Sequence, residues 1–121
     1  MIRNPQIQFA SADAIAAFQE ERLRDEVAYL YENSPYYRRM FDGCDMQPGY
    51  IRTTDDLRRL PVTTKTDLQL HPGEFVCVPR NRIIDYVTTS GTLGDPVTFA
   101  LTEEDLDRLA YNEAESFTTA G

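Results

Sequence analysis

The chain has 121 residues, 41% of them hydrophobic, with seven tyrosines and six phenylalanines, enough for one compact domain or a small domain plus part of another. A formal net charge of −8 argues against nucleic acid or an anionic membrane as a general partner, because both reward a basic face. No apolar run approaches the length of a membrane span, and "MIRNPQIQFASADAIAAF" lacks the continuous apolar segment of a signal peptide. The arginines stand beside acids, as in "EERLRDE" and "DDLRRL", the pattern of solvated helix faces.

Ser11 can cap a long helix that runs to about Asn33, with Ile15, Phe18, Leu23, Val27, Leu30 and Tyr31 on one apolar stripe. Pro35 breaks it. A second, short helix then begins, with Ser34 as cap, Pro35 in the first turn and Gly43 as terminator. Tyr36, Tyr37, Met40 and Phe41 form its packing side. "TTDDLRRLP" and "TTKTDLQLHP" repeat one miniature pattern: paired threonines, an acid, apolar residues and a proline stop. Each predicts a helix of about two turns capped by the second threonine of its pair, Thr54 or Thr64.

The period then changes. "FVCV" (Phe75–Val78), "RIIDYVT" (Arg82–Thr88) and "VTFAL" (Val97–Leu101) have the β-branched and aromatic composition of strands. Thr102 opens a final helix with Asp105 as the acidic partner of its cap, and Leu106, Leu109, Ala110, Glu113 and Phe117 share one face. The expected organisation is a helical part over 1–80, followed over 81–121 by the opening strands and helix of an α/β sheet. So few strands leave sheet edges and one face to be covered.

Cys44 and Cys77 have no C-x-x-C spacing and read as free thiols of a reducing cytoplasm. The one histidine, His71, directly precedes Pro72 and reads as a loop or helix-end residue. A zinc site or a Ser-His-Asp triad has little material here, and no metal site is expected.

Between the last two strands lies "TTSGTLGDP" (Thr88–Pro96). It joins strand to strand and lacks the G-K-[ST] ending of a Walker loop. Gly91 and Gly94 nevertheless allow successive N–H groups to turn inward as a nest, and the hydroxyls of Thr89, Ser90 and Thr92 add donors suited to phosphate. The same composition also suits an ordinary Gly/Ser/Thr hairpin. Both readings stand on these residues alone.

At this loop the sequence resembles the adenylate-forming superfamily, whose phosphate loop is usually written T-S-G-T-T-G-K-P. The flanking segments "RLRDEVAYLYENSPYYRRMF", "IRTTDDLRRLPVTTKTDL" and "FVCVPRNRIIDYVTTSGT" are together similar to the N-terminal region of phenylacetate–CoA ligases. The resemblance covers nearly the whole chain. It implies a larger enzyme that uses ATP and Mg²⁺ to convert an aryl carboxylate into an acyl-adenylate, then transfers the acyl group to coenzyme A. It also suggests a homodimer.

Carried over by residue, the resemblance assigns Thr89, Ser90, Gly91, Thr92 and Gly94 to the β- and γ-phosphates of ATP. It assigns no catalytic residue to this chain, because the acyl pocket, the ribose-binding acid and the C-terminal lysine of the family lie beyond it. Leu93 and Asp95 depart from the pattern, standing where a threonine and a lysine are usual. Lys65, the single lysine, follows the cap residue Thr64, where an ammonium and helix-start N–H groups together attract phosphate. It is the expected substitute for the missing loop cation. The competing expectation is a non-catalytic interaction module whose acidic loop no longer binds nucleotide.

Overall fold

The computed structural model describes residues 3–91 and 94–121. They pack as two compact units: one is Phe9–Cys77, and the other combines Met1–Gln8 with Val78–Gly121.

The first unit is built on helix α1 (Ala12–Asn33) and helix α2 (Pro35–Gly43). Ser11 caps α1 by accepting the Ala14 N–H at 3.2 Å, which satisfies one of the donors a helix start leaves unpaired. Ser34 sits in the joint between the helices and is 1% exposed. Its N–H closes α1 on the Leu30 carbonyl, while its Oγ accepts the Tyr37 N–H of α2 and donates to the Glu74 carbonyl at 2.8 Å. One small side chain therefore ends a helix, starts the next and ties both to a segment 40 residues away.

Helix α2 ends in a Schellman motif. The Met46 N–H reaches the Phe41 carbonyl at 2.9 Å, the Asp45 N–H reaches Asp42, and Asp45 takes the left-handed conformation (φ 54°). The helix ends at Gly43, as expected. The left-handed residue is nevertheless Asp45, whose side chain type tolerates that conformation better than most. The motif brings Met46 beside Phe41 in a core completed by Val27 and Ile51, with Leu23, Tyr31, Cys44 and Leu60 around it. Of the predicted faces, Leu23, Val27 and Tyr31 of α1 and Phe41 of α2 belong to this core, whereas Tyr36 and Tyr37 of α2 pack on Phe75.

The two threonine-paired segments differ from each other. "TTDDLRRLP" forms a 3₁₀ helix (Thr54–Arg59) capped by Thr53, the first threonine and not the second. The Asp56 carboxylate accepts both the Arg52 and Thr53 N–H groups, at 2.9 and 3.0 Å, which moves the helix start one residue earlier. Helix α3 (Lys65–Leu70) is capped by Thr64 as the pattern predicts, with Thr64 and Asp67 exchanging hydrogen bonds in a capping box.

"FVCV" is not a strand. Phe75 ends a 3₁₀ turn (Pro72–Phe75), and the following residues are half-buried, irregular chain. Its apolar character serves packing instead: the Phe75 ring stacks on Tyr36 at 4.2 Å and meets Tyr37 edge-on at 5.7 Å.

The second unit holds an antiparallel hairpin, β1 (Ile83–Thr88) with β2 (Thr98–Thr102), followed by helix α4 (Glu103–Ala120). Tyr86 pairs with Ala100, Val87 with Phe99 and Thr88 with Thr98; a bulge lies between Ile83 and Asp85. Thr102 and Asp105 form the expected capping box of α4. The predicted packing face of α4 is instead exposed, Leu109 by 53% and Phe117 by 74%. Its half-buried side carries Tyr111 and Glu115. Arg3 lies over the Tyr111 ring at 5.2 Å, and the Gln8 amide donates to Glu115, so the N-terminal segment covers that side. Tyr86, Val87 and Phe99 are also exposed. No helix of the described residues is long and apolar enough to cross a membrane.

Candidate functional site

The loop Thr89–Pro96 continues the hairpin outward. At its neck the Thr89 N–H donates to the Val97 carbonyl at 2.9 Å, and the Val97 N–H donates to Thr89 Oγ1 at 2.9 Å. Below it the hydroxyls of Thr88 and Thr98 meet across the strands at 3.0 Å. Val97 is 4% exposed, so the neck is anchored in the interior of its unit while Ser90, Gly94 and Asp95 face solvent.

Gly91 has φ 64° and Gly94 φ 141°, conformations that side chains disfavour. A Cβ at Gly91 would also lie 3.0 Å from the Gly94 carbonyl oxygen and 3.3 Å from Pro96 Cδ. The Gly94 N–H points back to the Gly91 carbonyl at 3.4 Å. The loop thus doubles back tightly on itself, with glycine required at the fold-over. Thr92, with Leu93, lies outside the described residues.

Lys65 is exposed and is the first residue of α3. It belongs to the unit Phe9–Cys77, whereas Thr89, Ser90, Gly91 and Gly94 belong to the other. Beside it, Asp67 accepts the Thr64 N–H and hydroxyl, both at 2.8 Å, and these bonds hold its carboxyl below the usual aspartate range.

A second polar cluster was not legible in the sequence. Arg39 of α2 forms a two-pronged pair with Glu74, one contact at 2.9 Å, and His71 Nδ1 lies 3.0 Å from the same carboxylate. The hydrogen bonds from Arg39 are the main cause of Glu74's lowered pKa. Arg39 and Glu74 are 35 residues apart, with no local spacing to signal the pair. The cluster secures the 3₁₀ turn Pro72–Phe75 against α2, where Ser34 also reaches it.

No protein-family model matches the chain. Among solved structures, a 2-hydroxyisobutyryl-CoA ligase in complex with 2-HIB-AMP and CoA superposes with a TM-score of 0.83 at 30% identity, over 92% of this chain and 25% of that one. A second, of the same ligase in the postadenylation state with 2-HIB-AMP, gives 0.78 at 29% identity. The fold is thus that of the N-terminal part of an adenylate-forming acyl-CoA ligase.

The phenylacetate-coenzyme A ligase of Thermus thermophilus is 38% identical over 122 residues, all of this chain and 27% of that protein. The Escherichia coli ligase of the same name is 38% identical over 116 residues, 95% of this chain and 26% of that one. The chain belongs to the phenylacetate–CoA ligase family and corresponds to its N-terminal portion. It spans about a quarter of the length of the relatives it matches.

Proposed function

We propose that the chain supplies the phosphate-holding portion of an ATP-dependent acid–CoA ligase acting on an aryl carboxylate in the cytoplasm. The helical part over 1–80 carries Lys65, and the part over 81–121 carries the loop. The observation behind this reading is the loop's geometry. Gly91 and Gly94 both have positive φ, and the loop also carries the hydroxyls of Thr89 and Ser90, features suited to holding an anion. In this reading Thr89, Ser90, Gly91, Thr92 and Gly94 hold the β- and γ-phosphates, and Lys65 provides the cation that Asp95 cannot. The ammonium offsets charge that develops on pyrophosphate as the carboxylate attacks the α-phosphorus.

Mg²⁺ fits this site as an ion carried in by the nucleotide. The ion is usually held by substrate phosphates with one or two carboxylates, and Asp95 is an exposed carboxylate of the loop. Bound there, it would neutralise phosphate charge. Coenzyme A then accepts the acyl group through parts of the enzyme that this chain does not contain. Asp95 also favours a second reading, an interaction module without nucleotide, because a carboxylate beside phosphate is repulsive when no cation intervenes.

The test is a chimera in which residues 1–121 replace the matching region of the Escherichia coli relative, assayed by phenylacetate-dependent ATP–pyrophosphate exchange. Exchange above background is expected, and Lys65→Ala in the chimera should depress it about tenfold or more, the loss of one charge-assisted hydrogen bond. A folded chimera without exchange favours the module. Unchanged exchange in Lys65→Ala removes Lys65 from the site.

A further inference from the structure

We infer that Thr89 is a positioning residue, holding the loop in shape by putting its side-chain oxygen where its own carbonyl belongs in the strand ladder. This inference rests on the phosphate reading of the loop. The register that pairs Thr88 with Thr98 and Val87 with Phe99 sets Thr89 opposite Val97. In a regular antiparallel ladder every second opposed pair exchanges two main-chain bonds, each N–H to the other carbonyl, and the Thr89 N–H bond to Val97 marks this pair as one of them. Here one is regular, Thr89 N–H to the Val97 carbonyl at 2.9 Å. The return bond is not: the buried Val97's N–H goes to Thr89 Oγ1 at 2.9 Å.

The side chain has replaced the carbonyl, so the Thr89–Ser90 peptide leaves the ladder one residue before the strands would otherwise release it. The C=O of Thr89 and the N–H of Ser90 belong to one rigid plane. The hydroxyl therefore decides which way the Ser90 N–H points and how the chain enters Gly91. Because Oγ1 receives its bond from Val97, its own proton remains available to donate, so the latch is compatible with a phosphate ligand.

Thr89→Val keeps the β-branched shape that suits a strand end but removes the oxygen. The Val97 N–H is then recaptured by the residue-89 carbonyl, and the peptide rotates back into the ladder. Thr89→Ser keeps the oxygen and the latch.

The experiment uses the isotope-labelled 121-residue chain and reads hydrogen-bond scalar couplings by NMR. It also follows the Gly91 and Gly94 amide shifts during titration with inorganic tripolyphosphate. In the unsubstituted chain and in Thr89→Ser, the Thr89 nitrogen should couple to the Val97 carbonyl carbon, with no coupling from the Val97 nitrogen to the carbonyl carbon of residue 89. Thr89→Val should gain that second coupling, shift both glycine amides and weaken tripolyphosphate binding about tenfold, while Thr89→Ser stays within about twofold.

A residue-89 coupling in the unsubstituted chain overturns the latch without recourse to any variant. A new coupling in Thr89→Val with unaltered tripolyphosphate binding overturns its positioning role. If the unsubstituted chain does not respond to tripolyphosphate, the phosphate reading itself fails, and the couplings still decide the latch.

Discussion

Gly91→Ala tests whether the loop is held in the observed fold-over or merely passes through it. At φ 64° an L-residue costs about 1–2 kcal/mol relative to the right-handed region. The new Cβ would also meet the Gly94 carbonyl oxygen at 3.0 Å and Pro96 Cδ at 3.3 Å. These are a backbone atom and a ring atom, so no flexible side chain can swing away to relieve the contact. Against this, replacing glycine restricts the unfolded chain and returns about 0.4–1 kcal/mol. The net is a loss of about 1–2 kcal/mol in the closure of the hairpin neck, a factor of about 5–30 in its opening equilibrium. Amide hydrogen exchange at Thr89 and Val97, the two N–H groups bonded across the neck, reads that equilibrium directly. Gly49→Ala is the control, because nothing lies within 4 Å of the added Cβ there and its φ is not positive. Unchanged protection of Thr89 and Val97 in Gly91→Ala refutes the argument that strain and crowding require glycine.

Ser34→Ala removes the cap of α2, worth about 1 kcal/mol, and leaves the Glu74 carbonyl without its 2.8 Å donor, worth about 1–3 kcal/mol in a buried setting. Urea unfolding followed by far-UV circular dichroism should show a loss of about 2–4 kcal/mol with unchanged m-value; a loss below about 0.5 kcal/mol would mean water replaces the hydroxyl. Glu74 and Asp67 both titrate below their usual values of 4.5 and 3.8, Glu74 through Arg39 and Asp67 through Thr64. A depressed carboxylate stabilises fully above its unfolded pKa and loses that contribution as pH falls through its folded one. The urea midpoint should therefore drop between about pH 5 and pH 3, and Glu74→Gln should make the drop shallower; an identical slope in Glu74→Gln would remove the Arg39 pair from the acid response.

Local chemistry made much of the chain legible in its sequence. Ser11, Ser34, Thr64 and Thr102 are caps because a short hydroxyl side chain beside a helix start satisfies orphan N–H groups whatever lies elsewhere. The strands around the Gly/Ser/Thr loop were legible for the same kind of reason: alternating β-branched residues interrupted by glycines specify a hairpin within a short stretch. The family resemblance rested on those same segments. Where local signals compete, sequence alone failed. "FVCV" has strand composition, but no neighbouring strand pairs with it, and stacking of Phe75 on Tyr36 decided its conformation. Thr53 rather than Thr54 became a cap because the Asp56 carboxylate also reached the Arg52 N–H. The apolar periodicity of α4 was real, yet Tyr111 and Glu115 on another side became covered, because Arg3 and Gln8 arrive there from the opposite end of the chain. The same holds for Ser34 with Glu74, Arg39 with Glu74, and the hydroxyl of Thr89 in the place of a carbonyl. Each depends on two segments meeting in space, and residue spacing carries no record of a contact that only the folded chain makes.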